Sequence, residues 1–133
     1  MSEEKKIKVV LLEPGKLART AEIGTSIEDL QNAVDGLIEP FYPFEEQVCI
    51  VCNDEGKING MLPNRSVKNK DGVMVDFIFG PAFICDCRGE SFDSLSDEQI
   101  ARYTKMFRYT EHLARLNGKL IGIPFNPQRE HER

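Results

Sequence analysis

The chain has 133 residues, with 17 basic and 22 acidic side chains, a formal charge of -5 and 41% hydrophobic residues. That length holds one hydrophobic core comfortably and two poorly, and the composition is that of a globular chain, not a disordered or fibrous one. The acidic balance excludes a whole-surface attraction for nucleic acid and leaves only a local basic face open.

The N-terminus passes from Met1-Ser2-Glu3-Glu4-Lys5-Lys6 into an apolar stretch of only Val9 to Leu12, too short for a secretory signal. No run approaches the roughly 20 apolar residues of a membrane span. A cytoplasmic protein without a membrane role is expected, and its four cysteines are expected to be reduced thiols.

Alternation over Ile7 to Leu12 predicts a strand buried on at least one face, closed by the turn Glu13-Pro14-Gly15. Ser26 followed by Asp29 forms a helix start, with Ile27, Leu30, Val34 and Leu37 near the helical period and Gly36 as its stop. Pro40 and Pro43 place the next extended piece at a sheet edge, because proline donates no ladder bond. Gln47 to Cys52 predicts an inner strand. The turn chemistry of Asn53-Asp54-Glu55-Gly56 then predicts a hairpin returning through Lys57 to Leu62.

Asn64 to Gly72 is polar and basic, which predicts an exposed, mobile loop. Val73, Val75, Phe77 and Phe79 alternate with Met74, Asp76 and Ile78 as a strand, which Gly80-Pro81 breaks before Ala82 to Cys85. Ser96 with Gln99 is a capping box opening a long helix, in which Ile100, Tyr103, Phe107, Thr110 and Ala114 share a face. Asn117-Gly118 ends that helix, and Lys119 to Ile123 forms a last short strand. The expected fold is α+β: a flexible N-terminus over residues 1–6, a single domain over 7–125 with a mainly antiparallel sheet of about four or five strands packed with two helices, and a frayed tail over 126–133.

The cysteines are candidate zinc ligands, since Cys49 and Cys52 are spaced C-x-x-C and Cys85 and Cys87 C-x-C. Strand context opposes this, because an offset of three sends Cys49 and Cys52 to opposite faces, and cysteine as small apolar filler is the plainer reading. Thioredoxin-like chemistry would need a helix N-terminus at these thiols. Gly89-Glu90-Ser91-Phe92-Asp93 lacks the last glycine of a nucleophile elbow, and the two histidines, His112 and His131, offer little to a catalytic centre. No catalytic residue, metal or cofactor is assigned.

On the long helix, Lys105, Arg108, His112, Arg115 and Lys119 would fall within one arc. That arc is either a basic track for phosphates or an acidic partner, or a solvated face whose last cations complement the helix dipole. In the loop after the hairpin, Asn64 and Arg65 put an amide beside a guanidinium, able to grip a carboxylate or phosphate, with Asp76 nearby. Their plainer reading is a turn in which Arg65 pairs with Asp76 or solvent.

The strand ending Glu13-Pro14-Gly15-Lys16, the segment Ile27 to Ile38, Cys52-Asn53-Asp54-Glu55-Gly56-Lys57, Leu62-Pro63-Asn64-Arg65, Asp76, Gly80-Pro81-Ala82-Phe83 and Ser94-Leu95-Ser96 occur in a characteristic order. Over roughly residues 7 to 107 the chain thereby resembles the domain-of-unknown-function family three-eight-four-six, carried by bacteria, phages and other mobile elements. The resemblance implies a genomic setting rather than a chemistry, and its pattern matches Asn64, Arg65 and Gly80. The expected function is a non-catalytic binding module anchored at Arg65 that takes a protein or a small anionic ligand, with interference in host defence as its setting. The alternatives are a nucleic-acid accessory protein using the basic helix face, and a zinc-binding or thiol-dependent protein.

Overall fold

The computed structural model describes residues 5–130. In chain order the elements are β1 (Lys6–Leu12), β2 (Arg19–Gly24), α1 (Ile27–Val34), β3 (Ile38–Phe41), β4 (Val48–Asn53), β5 (Pro63–Lys68), β6 (Met74–Phe79), β7 (Ala82–Asp86), α2 (Asp97–Met106), β8 (Thr110–Leu116), β9 (Lys119–Phe125) and the helical turn α3 (Pro127–Glu130). The fold is α+β: a five-stranded antiparallel sheet in the order β2-β1-β7-β4-β3, with two further two-stranded sheets, β5-β6 and β8-β9.

Strand alternation divides the core into two layers. Ile7, Val9 and Leu11 of β1 join Cys49 and Val51 of β4 and Phe83 and Cys85 of β7 on one face, under Leu30 and Val34 of α1. Val10, Leu12, Val48, Ile50, Ala82 and Ile84 occupy the other face, under Tyr103 and Phe107 at α2 and under Val67 and Ile78 of the β5-β6 hairpin. β1, β4 and β7 are therefore apolar on both sides, as strands covered by two layers must be. Pro40 sits where expected, since β3 is an edge strand paired only with β4, whereas Pro43 follows the strand.

Both helix starts match the sequence. The Ser26 hydroxyl accepts from the Asp29 N–H, and Ser96 and Gln99 form a reciprocal capping box. The left-handed residue closing α1 is Asp35, at φ 60°, one place before Gly36. Asn53 reinforces that end: its Nδ2 donates to the carbonyls of Val34 and Asp35.

Three expectations are corrected. The return strand over Lys57 to Leu62 does not form. β4 already has β3 on one edge and β7 on the other, and a strand has only two edges to offer. Residues 54–60 instead form consecutive turns. Next, Asn64 to Gly72 is not one exposed loop: Asn64, Arg65, Ser66 and Val67 are buried in β5, and only the tight connection from Lys68 onward is exposed. Finally, the long helix ends at Met106, and Thr110–Leu116 of its expected length is the strand β8, paired with β9. Asn117 and Gly118 both have positive φ, 51° and 80°, so the pair turns a hairpin where it was expected to close a helix.

β2 had no clear sequence signal, and α3 is a four-residue turn within the expected tail. The expectations for residues 1–4 and 131–133, His131 included, lie outside the described residues. Among the described residues, no helix is long and apolar enough to cross a membrane.

Candidate functional site

Asn64 and Arg65 form an interior node. Both are fully buried. Arg65 Nε donates to the Phe107 carbonyl at 2.6 Å, Nη1 to the Asn64 side-chain oxygen at 2.6 Å and the Glu13 carbonyl at 3.2 Å, and Nη2 to the carbonyls of Lys16 at 2.7 Å and Arg108 at 3.3 Å. A guanidinium has five N–H donors, so none is left for a ligand. Asn64 Nδ2 donates to the carbonyls of Leu12 and Gly80, and the Thr110 hydroxyl donates to the Asn64 carbonyl. The node thus ties the end of β1, the β6-β7 turn and the end of α2 to the start of β8.

Burial pushes the Arg65 guanidinium down to about 10, with Glu111 and Glu13 acting against the fall. At neutral pH it keeps its charge. Asp76 is not its partner, since Asp76 pairs with Lys57 at 2.9 Å and accepts from the Phe77 N–H. The expected anion grip of Asn64, Arg65 and Asp76 is therefore corrected. Two members hold the fold and the third belongs to a separate ion pair.

The basic face is dispersed for the same reason that the helix stops. Lys105 lies in the last turn of α2, and Arg108 follows it with its guanidinium 5.4 Å from the Tyr109 ring centroid. His112 and Arg115 stand three residues apart on β8, hence on opposite faces of the hairpin. The His112 ring stacks on Phe125, centroids 3.9 Å apart, while Arg115 reaches the Gly118 carbonyl beside Lys119. The expected single basic track does not exist.

Three of the four cysteines, Cys49, Cys85 and Cys87, pack on the α1 side of the large sheet, and Cys52 packs on the opposite side. The Cys49 and Cys85 sulfurs are 3.8 Å apart across β4 and β7. The Cys85 thiol lowers the pKa of Cys49 by hydrogen bonding, which raises that of Cys85 in turn. Burial pushes Cys52 and Cys87 up to about 11. The four sulfurs do not converge, and among the described residues no cluster of three or more His, Cys, Asp or Glu could hold a metal ion.

A separate concavity lies away from these groups. A cleft of about 680 Å³ opens between the 43–46 segment, α2, the β5-β6 connection and Glu111 of β8. Its first wall is a closed network. Glu46 accepts from the Tyr103 hydroxyl at 2.5 Å, from Gln99 Nε2 at 2.9 Å and from Arg102, which also reaches Glu98 at 2.6 Å. These bonds, that from Tyr103 foremost, hold the Glu46 carboxyl below its ordinary range, against the opposing effect of burial.

The facing wall has unused capacity. Lys68 and Lys70 line the cleft, and neither has a carboxylate within ion-pair distance among the described residues. Glu111 Oε1 accepts from the Ser66 N–H at 3.0 Å, and no hydrogen-bond partner of Oε2 occurs among the described residues. The buried Ser66 hydroxyl has no partner among them either. Phe44, Met106 and Phe107 supply the apolar lining. Sequence reasoning missed this site, because its parts come from four separated segments. The only local signal was the pair Lys68 and Lys70 in a stretch read as one loop.

A family model described as Domain of unknown function (DUF3846) matches residues 7–108. The match covers Lys68, Lys70, Arg102 and Tyr103 and ends before Glu111 and the β8-β9 hairpin. No curated protein and no solved structure matches the chain.

Proposed function

We propose that this chain, which belongs to the DUF3846 family, is a non-catalytic binding module whose cleft takes a small anionic ligand. The observation that carries the reading is the contrast between the two walls: Glu46, Arg102 and Tyr103 satisfy one another, whereas Lys68 and Lys70 face the same space with no carboxylate partner among the described residues. Two ammonium groups at one rim favour an anion electrostatically, and a cleft of about 680 Å³ falls within the usual range for small-molecule sites. Among the described residues, the cleft lining contains no cysteine or histidine. No described base is bonded to the Ser66 hydroxyl, so the nucleophile-base pairing of a hydrolase is missing there.

The phage and mobile-element setting that the resemblance implies gives the proposal a use: sequestering a small signal of a host defence system. The test is thermal stability against a panel of phosphorylated and carboxylated metabolites, for the wild-type chain and for Lys68→Glu/Lys70→Glu. At least one anion should raise the melting temperature of the wild type and not that of the double variant. A panel that stabilises neither at millimolar concentration, or both equally, overturns the reading.

A further inference from the structure

We infer that the anion is a nucleotide and that Glu111 selects guanine as its base, an inference resting on the cleft reading above. Several polar groups of the cleft already have partners. Glu46, Gln99, Arg102 and Tyr103 are bonded to one another. What remains among the described lining groups is a pair of ammonium groups at Lys68 and Lys70, an apolar surface at Phe44 and Met106, the exposed Glu45 carboxylate and Asn69 amide nitrogen, and the second oxygen of Glu111, which alone of the two carboxylates is held in place by a backbone bond.

Each remainder sets a requirement. Two lysines at one rim suit the dianionic charge of a phosphate monoester better than a single carboxylate. Met106 is 56% exposed at the cleft, although a large apolar side chain gains by burial. Its thioether and the half-buried Phe44 ring suit the flat face of an aromatic heterocycle. Glu111 is an acceptor that has used one oxygen on the Ser66 N–H, and an ionised carboxylate has about four lone-pair sites. It therefore asks the ligand for N–H donors.

Among the common bases, guanine alone places two donors side by side on its pairing edge, N1–H and N2–H, spaced to meet a carboxylate fork. Adenine and cytosine each offer one exocyclic amine next to a ring acceptor, and uracil offers one N–H between two carbonyls. The neighbouring guanine O6 is an acceptor, and the Ser66 hydroxyl is a donor without a partner among the described residues, on the residue whose N–H holds Glu111. Glu111 lies beyond the matched segment of residues 7–108, so the β8-β9 hairpin supplies the base-reading group and the matched segment supplies the phosphate-reading lysines.

The test is isothermal titration of the full chain with GMP, AMP, CMP, UMP and inorganic phosphate. GMP should bind about 10- to 100-fold more tightly than the other nucleotides, the discrimination expected of one bidentate base contact. Glu111→Gln keeps an acceptor for the Ser66 N–H and should shrink that preference to within about threefold. Lys68→Ala/Lys70→Ala should weaken all four nucleotides alike and reduce the salt dependence. A preference for another base, or a guanine preference that survives Glu111→Gln in a folded variant, overturns the inference. Binding of inorganic phosphate alone, lost on removing the lysines, overturns it while leaving the cleft reading intact, whereas binding of none of the five overturns it and removes phosphate from the ligands the cleft reading allows.

Discussion

The Tyr103 hydroxyl donates to a Glu46 carboxylate oxygen across 2.5 Å, joining the buried side of α2 to the segment that precedes β4. That bond is the foremost reason that Glu46 stays ionised below its ordinary range, with Gln99 and Arg102 adding to it. A carboxyl depressed in the folded state contributes stability that is complete above its unfolded value and is lost as pH falls through the lower folded value. Tyr103→Phe should lower stability at pH 7 by about 1 kcal/mol, a figure kept modest because Glu46 is about one-third exposed. The gap from wild type should close as pH falls below the ordinary glutamate value of 4.5. Urea unfolding at several pH values measures it, and a gap constant with pH would assign the loss to packing alone.

Arg65 is expected to be a folding residue. Arg65→Ala strands the buried Phe107 carbonyl and Asn64 side-chain oxygen, removes the bond to the part-buried Lys16 carbonyl, and should cost about 3–5 kcal/mol. Arg65→Lys keeps the charge but has only three donors and no fork, and should still cost about 2 kcal/mol. Denaturant midpoints measure both, and a loss under about 1 kcal/mol for the alanine variant contradicts the node.

The hairpin can be tested at its turn. Gly118 sits at φ +80° with open space around the position of a Cβ, so Gly118→Ala is strained by backbone conformation alone, by about 1 kcal/mol. Hydrogen exchange should quicken over Thr110–Leu116 and Lys119–Phe125 while β1 and β7 keep their protection.

Gly56 tests close approach. A Cβ there would lie 2.5 Å from the Phe79 carbonyl oxygen, a backbone atom that cannot swing aside. Gly56→Ala should cost about 1–3 kcal/mol, read from thermal or urea unfolding.

Thiol labelling tests the placement of the cysteines. Cys49 and Cys85 are fully buried and should resist alkylation at pH 8 in the folded chain. Cys52 and Cys87 are partly accessible but have thiols pushed to about 11, so they should react slowly and faster as pH rises. Mass spectrometry of labelled peptides separates the four, and early modification of Cys49 contradicts the packing.

Local chemistry was legible where one short segment decides the outcome. Ser96 and Gln99 needed only each other to start α2, and Ile7 to Leu12 carried its own alternation. Residues 111–116 misled, because Glu111, Leu113, Ala114, Arg115 and Leu116 are good helix formers that tertiary pairing holds as a strand. The hairpin signal was present in Asn117-Gly118, a pair that equally suits the end of a helix.

By itself the sequence determined the family, the mixed class of the fold, the central strands and the helix starts, because capping and alternation act over a few residues. Only the tertiary structure decided what the polar groups do. Arg65 is interior because carbonyls from residues 13, 16, 107 and 108 converge on it. The cleft exists because Glu46, Lys68, Arg102 and Glu111 arrive from separate segments. A polar side chain reads as exposed until its distant partners are known, since the cost of burying it is set by bonds that no local window contains.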